Sequence, residues 1–163
     1  MMLLLDLGNT RLKWALAATD GQWLAQAALD WREGDVAARL AAAWQALDRP
    51  ARLVGASVVD PAREGLVAEV AARCFGLAPE WLRTPAAACG VVNAYAEPGR
   101  LGVDRFLTLV AARMQGAAPC VLAGVGTALT LDALTADGRH LGGLIAPGPV
   151  LMQESLLSAT ARL

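Results

Sequence analysis

The sequence is short of cysteine, of net charge and of long uninterrupted apolar stretches. Its three cysteines, Cys74, Cys89 and Cys120, have neither paired nor metal-ligand spacing. That excludes a disulfide framework and suits a reducing cytosol with free thiols. Lys and Arg number 14 against 15 Asp and Glu, a net charge of -1. So balanced a chain has no electrostatic footprint for nucleic acid or an anionic membrane. No apolar run reaches the roughly 20 residues that span a bilayer. The leading "MMLLLD" has no basic flank and meets Asp6 too early for a secretory signal. The expectation is a cytoplasmic globular protein with neither nucleic-acid nor membrane partners.

What the chain does have is core-forming material: 56% hydrophobic and 18% charged residues in 163 positions, one domain or two small ones. Leu3–Leu7 and Arg11–Ala18 read as strands joined by "GNT", and "ATDGQ" turns into a third strand over Trp23–Ala28. "EGDVAARLAAAWQALDR" (Glu33–Arg49) places apolar residues at three- and four-residue spacing, which predicts an amphipathic helix. "ARLVGASVV" is a strand, and Pro61 opens a helix that Gly76 closes. A short strand at Trp81–Arg83 leads into the loop "TPAAACGVVNAYAEPGRLG", followed by a helix over Asp104–Met114. "APCVLAGVGTALTLDAL" is strand, glycine turn, strand; a further strand follows "TADGRH", and Val150–Ala161 begins another helix. Three antiparallel strands followed by alternating helix and strand predict an α/β layered fold with a mixed sheet.

The opening repeats. "LLLDLGNTRLKWAL" overlays "CVLAGVGTALTLDAL" when Gly8 is paired with Gly126: an apolar strand, a glycine turn with a hydroxyl residue, a second apolar strand. Glycine lets backbone approach a ligand, and hydroxyls, the Asn9 amide and bare N–H groups donate to phosphate oxygens. Two such hairpins in two half-molecules would face each other across a cleft, with Lys13 adding a cation and Asp6 holding Mg²⁺ through water. Gly, Asn and Thr are equally at home in ordinary hairpin turns. A second cluster lies in "NAYAEPGRLGVDRF", where Tyr95, Gly102, Asp104 and Arg105 surround a loop-to-helix junction. Asp104 there is either a helix cap or a general base beside an anion-binding guanidinium.

Six segments in order, "DLGNTRLK", "SVVDP", "NAY", "GVDR", "GTALTLD" and "GGLIAPG", resemble type III pantothenate kinases, the family that includes Bvg accessory factor-like proteins. These belong to the superfamily of acetate and sugar kinases, heat-shock chaperone ATPases and actin. The resemblance implies a duplicated ribonuclease H-like (actin-like ATPase) fold with mixed sheets flanked by helices. It divides the chain into a first domain over 1–115 and the start of a second, incomplete one over 116–163. It implies ATP-dependent phosphorylation of pantothenate to 4'-phosphopantothenate, the first step towards coenzyme A. Carried over, Asp6, Leu7, Gly8, Asn9, Thr10, Arg11, Leu12 and Lys13 form the first ATP-phosphate segment, and Gly126 and Thr127 belong to the second. Tyr95, Gly102, Val103, Asp104 and Arg105 resemble the pantothenate contacts, with Asp104 as the base. ATP, Mg²⁺ and a homodimer are implied, with Arg105 placed towards substrate or phosphoryl group.

Two departures stand out. Many members have an aspartate, tied to K⁺ or NH₄⁺, where this chain has Gly124, the counterpart of Asp6 in the repeat. Asp132 lies too far along the strand to be assumed its substitute. Family members also continue well beyond the point corresponding to Leu163, and these two departures define the alternative of a weak or inactive relative with a regulatory role. His140 reads as structural or surface, Cys89 as packing, and the tryptophans Trp14, Trp23, Trp31, Trp44 and Trp81 as core and interface anchors.

Overall fold

Strict alternation in the first strand explains why an acid can sit there. In the computed structural model, which describes residues 1–159, β1 (Met2–Leu7) buries Leu3, Leu5 and Leu7. Successive side chains of a strand point to opposite faces, so Asp6 lies on the face away from that leucine row. β2 (Arg11–Ala17) runs antiparallel to β1 and sets Leu16, Trp14 and Leu12 opposite Leu3, Leu5 and Leu7. β3 (Trp23–Asp30) continues the antiparallel meander.

Helix α1 (Val36–Gln45) is shorter than the periodicity predicts. The Asp35 carboxylate caps it by accepting from the Ala38 N–H at 3.0 Å, leaving Glu33 and Gly34 in the preceding turn. β4 (Arg52–Ser57) returns parallel to β1. In α2 (Pro61–Phe75), Asp60 caps the start, Pro61 takes the first turn and Gly76 ends the helix at φ 66°, a left-handed conformation that suits glycine. β5 (Glu80–Leu82) pairs parallel with β4, giving the sheet order β3-β2-β1-β4-β5. Three antiparallel strands and two parallel ones form the mixed sheet expected. Its core joins the leucine rows to Leu40, Trp44, Leu53, Val67, Val70 and Phe75. Trp44 is fully buried with its ring 5.7 Å from that of Phe75, and burying each large apolar side chain of this kind contributes about 1.5–3 kcal/mol.

The expected loop after Arg83 holds a small hairpin, β6 (Ala87–Ala88) and β7 (Val91–Val92). Cys89 and Gly90 form its two-residue turn, with φ of 52° and 75°. Cys89 is therefore exposed in a tight turn rather than a packing residue. A short 3₁₀ turn at Pro98–Arg100 precedes α3 (Val103–Met114), which buries Val103, Phe106, Leu109, Val110 and Ala112. β8 (Cys120–Val125), β9 (Ala128–Leu134) and β10 (His140–Pro147) form an antiparallel sheet ordered β10-β9-β8. On the face carrying Val121, Val125 and Leu144 these side chains are 68%, 70% and 69% exposed. α4 (Pro149–Ala159) follows; the last part of the helix expected over Val150–Ala161 lies outside the described residues.

The chain divides into two compact units, Met1–Arg83 and Thr84 onward. The division falls before α3, whereas the family-derived boundary lies at 115/116. α3 belongs with the second unit because Phe106, Leu109 and Val110 share a core with Val91, Leu101 and Leu134.

Candidate active site

The first unit carries the hairpin between β1 and β2. The Gly8 N–H donates to the Arg11 carbonyl at 3.0 Å and closes a turn around Asn9 and Thr10. Trp31 Nε1–H donates to the Gly8 carbonyl at 2.7 Å. The Arg63 guanidinium lies 5.3 Å from the Trp31 ring centroid and donates to the Asn9 carbonyl at 3.4 Å. The hairpin is thus braced from α2 and from the end of β3, and its turn residue Asn9 stays exposed. Cross-strand register places Asp6 opposite Lys13, the chain's single lysine, and their side chains meet at 2.9 Å. Both are largely exposed, so the pair contributes within about 1 kcal/mol to stability and leaves both charges open to a ligand.

The second unit repeats this hairpin between β8 and β9 in tighter form. Here the Gly126 N–H donates to the Ala128 carbonyl at 3.0 Å, and Thr127 occupies the tip. The position matching Asp6 is Gly124, and Thr130 stands opposite it. A methyl group at 124 would lie 2.6 Å from the Thr130 hydroxyl, so that hydroxyl fills the space a side chain would need.

The other sequence-predicted residues converge around the start of α3. Gly102 is the N-cap residue, Val103 is buried, and Asp104 is exposed in the first turn, where a carboxylate favours the helix. Its Oδ1 accepts from the Arg105 N–H at 2.8 Å. The Arg105 side chain turns inward. Its Nε and Nη2 donate to the two oxygens of Asp132, at 2.8 and 2.6 Å, in a bidentate pair whose side chains are 12% and 5% exposed. The Asp132 carboxylate beside it holds the Arg105 guanidinium above its ordinary range. Asp132 Oδ1 also lies 2.9 Å from Nε2 of His140. The paired carboxylate can only accept, so this ring nitrogen is assigned the hydrogen. The buried His140 ring in turn stacks on Tyr95, centroids 5.9 Å apart at 23°. Asn93 orders the Tyr95 loop, accepting from the Tyr95 N–H at 3.0 Å and donating to the Pro98 carbonyl at 3.2 Å.

Local backbone makes this packing possible. β10 is irregular between His140 and Gly143, and Gly142 adopts φ 106°, which only glycine takes without strain. At Gly143 an added methyl group would collide with the Arg105 guanidinium, the Asp132 carboxylate and the Leu131 carbonyl. The cluster borders a small cavity lined by Arg105, Thr108, Leu122, Gly124, Thr130 and Asp132. Asp132 thus shares a sheet face with Gly124 but is committed to Arg105 and His140.

Residues 2–163 match the family model described as Type III pantothenate kinase. The chain belongs to the type III pantothenate kinase family. It is 41% identical over 167 residues to a type III pantothenate kinase of Halorhodospira halophila, covering 100% of this chain and 66% of that one. To one of Thiobacillus denitrificans it is 44% identical over 161 residues, covering 98% and 62%. The chain therefore spans less than two thirds of the length of either relative. A solved structure from Campylobacter jejuni, described as a Baf family transcriptional activator, superposes with a TM-score of 0.55 at 18% identity over 99% of this chain and 62% of that one, a likeness of fold.

The sequence motifs singled out Tyr95, Asp104 and Arg105; Asn93 and Asp132 lie within "NAY" and "GTALTLD" without an assigned role, and His140, Trp31 and Arg63 lie outside the motifs. The signal that could have found two of them is the lone acid in the apolar strand "LTLDAL" together with the adjacent glycines in "HLGGL", a mark of close backbone approach.

Proposed function

We propose that the protein phosphorylates pantothenate with ATP, in the cytoplasm and as a homodimer. The pantothenate hydroxyl oxygen attacks the γ-phosphorus, the bond from that phosphorus to the β–γ bridging oxygen breaks, and ADP leaves as 4'-phosphopantothenate forms. Asp104 accepts the hydroxyl proton. In phosphoryl transfer the protein supplies mostly position and electrostatics, and the groups here suit that task.

The segment Asp6–Lys13 and the turn Gly126–Thr127 contact the phosphates, and Lys13 offsets their charge. Mg²⁺ would neutralise charge between the phosphates. Asp6, whose side chain is 45% exposed and pairs with Lys13, fits an ion held through water and substrate oxygens. Gly102, Val103, Arg105 and Tyr95 contact pantothenate. Asp132 uses two of the five N–H groups of Arg105 and Tyr95 also hydrogen-bonds to the guanidinium, which holds the cation in place towards an anionic group of substrate or phosphoryl. With Gly124 in place of a carboxylate and Asp132 already paired, dependence on K⁺ or NH₄⁺ is weak. The apolar side chains Leu107 and Met114, exposed on α3, are candidates for the dimer seam.

The observation that carries this reading is the start of α3 in a chain that matches the family throughout: an exposed carboxylate, Asp104, beside a guanidinium fixed by a buried partner. Its test is Asp104→Asn in the full-length protein. Pantothenate turnover falls by about 10²-fold or more while thermal stability is kept. Retained turnover would remove Asp104 from the role of base.

A further inference from the structure

Two residues of the second unit are buried, polar and without a role in the proposed reaction, Asp132 and His140, and Gly142 and Gly143 make room for them. They join two residues that reach the cluster from different elements. Arg105 comes from the first turn of α3 and Tyr95 from the loop before it. Asp132 grips the guanidinium through both oxygens, His140 stacks on the phenol ring, and Asp132 and His140 bond to each other at 2.9 Å. An arginine side chain has four rotatable bonds and a tyrosine side chain has two. Unsupported, neither would present its polar end in one place. A bidentate carboxylate removes that freedom for Arg105, and the stacked, hydrogen-bonded imidazole limits it for Tyr95.

We infer that Asp132 and His140 are the positioning residues of the acceptor site, a buried pair that locks Arg105 and Tyr95 in the orientation in which they receive the acceptor. The inference rests on the proposed function for the identity of that acceptor, but the coupling of the four side chains stands on geometry alone. Both residues act through others. Asp132 lies 4% exposed and His140 3%, too enclosed to meet a substrate themselves. The arrangement also gives the irregularity in β10 a purpose: it turns His140 inward beside Asp132 while Gly143 leaves the guanidinium its space.

The test uses the full-length protein in four forms: wild type, Asp132→Asn, His140→Gln and His140→Phe. Asparagine keeps the shape of Asp132 but loses the charge and one acceptor oxygen. Glutamine retains a donor where His140 has Nε2, and phenylalanine retains the stack but no donor. Two readouts are taken. Steady-state kinetics should show Asp132→Asn raising KM for pantothenate about tenfold or more, as misplacement of a binding group does, with KM for ATP unchanged. His140→Phe should shift the same constant, and His140→Gln should largely restore it. Nitrogen-15 NMR of the Arg105 Nε–H should show slow hydrogen exchange in wild type and in His140→Gln, and fast exchange in Asp132→Asn. If both KM values move together with the melting temperature, or if the Arg105 Nε–H stays protected in Asp132→Asn, the positioning role is overturned. If Asp132→Asn does not fold, the two His140 variants decide by the kinetic contrast between them. If wild type does not phosphorylate pantothenate, the proposed function fails, and the exchange measurement alone still decides whether Asp132 holds Arg105.

Discussion

Arg105 and Asp132, 27 positions apart, meet in a bidentate pair of 2.8 and 2.6 Å, with Asp132 buried and Arg105 half-buried. A buried pair of this kind is costly to break, because removing one partner leaves the other charge uncompensated in a poorly solvated place. The second unit is therefore organised around a polar feature as well as an apolar one.

The pair is sensitive to crowding as well as to loss of charge. Gly143→Ala places a methyl group against both members of the pair and the Leu131 carbonyl. The strand cannot yield without moving Arg105, so the substitution should destabilise by about 1–3 kcal/mol, the usual cost of overpacking. Urea denaturation followed by circular dichroism measures this. Unchanged stability would mean that β10 relaxes freely around residue 143.

The first hairpin depends on a different support. Trp31→Phe keeps an aromatic surface for Arg63 but removes the N–H that donates to the Gly8 carbonyl at 2.7 Å. A carbonyl left without its donor costs about 1–3 kcal/mol when buried and less at this half-buried site. The expected outcome is a severalfold rise in KM for ATP with KM for pantothenate unchanged. Equal changes in both would show that Trp31 supports the unit at large rather than the hairpin.

Acid should loosen the first unit at a defined place. Glu64, in the first turn of α2, receives two hydrogen bonds from Arg83 at 3.0 and 2.9 Å, and this partner holds its carboxyl below the ordinary 4.5. With the folded value depressed, the unfolded chain binds the proton first. The stabilisation is fully present above about pH 4.5 and is lost as pH falls through the folded value. Arg83 is 60% exposed, so the amount is within about 1 kcal/mol. Glu64→Gln should remove that part of the pH dependence as pH falls below about 4.5. A melting curve that falls with acid as steeply in the variant as in wild type would assign the effect elsewhere.

Local signals made most of the strands legible. Apolar runs marked β1 and β2, glycine at 8 and 126 marked the two hairpins, and Pro61 and Gly76 bounded α2 within a residue. The repeat was readable because both hairpins close with a glycine N–H donating across the turn. Asp104 and Arg105 were readable because they are adjacent. Asp132 and His140 were not, because their partners are set by a β-strand irregularity and by a helix docked on the sheet, which are properties of the folded unit and not of any local window. Cys89 misled for a related reason: a positive φ in a two-residue turn overrides the burial that cysteine usually prefers.

The measurement that bears most directly on the central claim is coupled ADP release by the full-length protein with Mg²⁺-ATP, recorded with and without pantothenate. The predicted result is release that depends on pantothenate and yields 4'-phosphopantothenate by mass spectrometry. ADP release indifferent to pantothenate, or none with pantothenate present, would contradict the assignment.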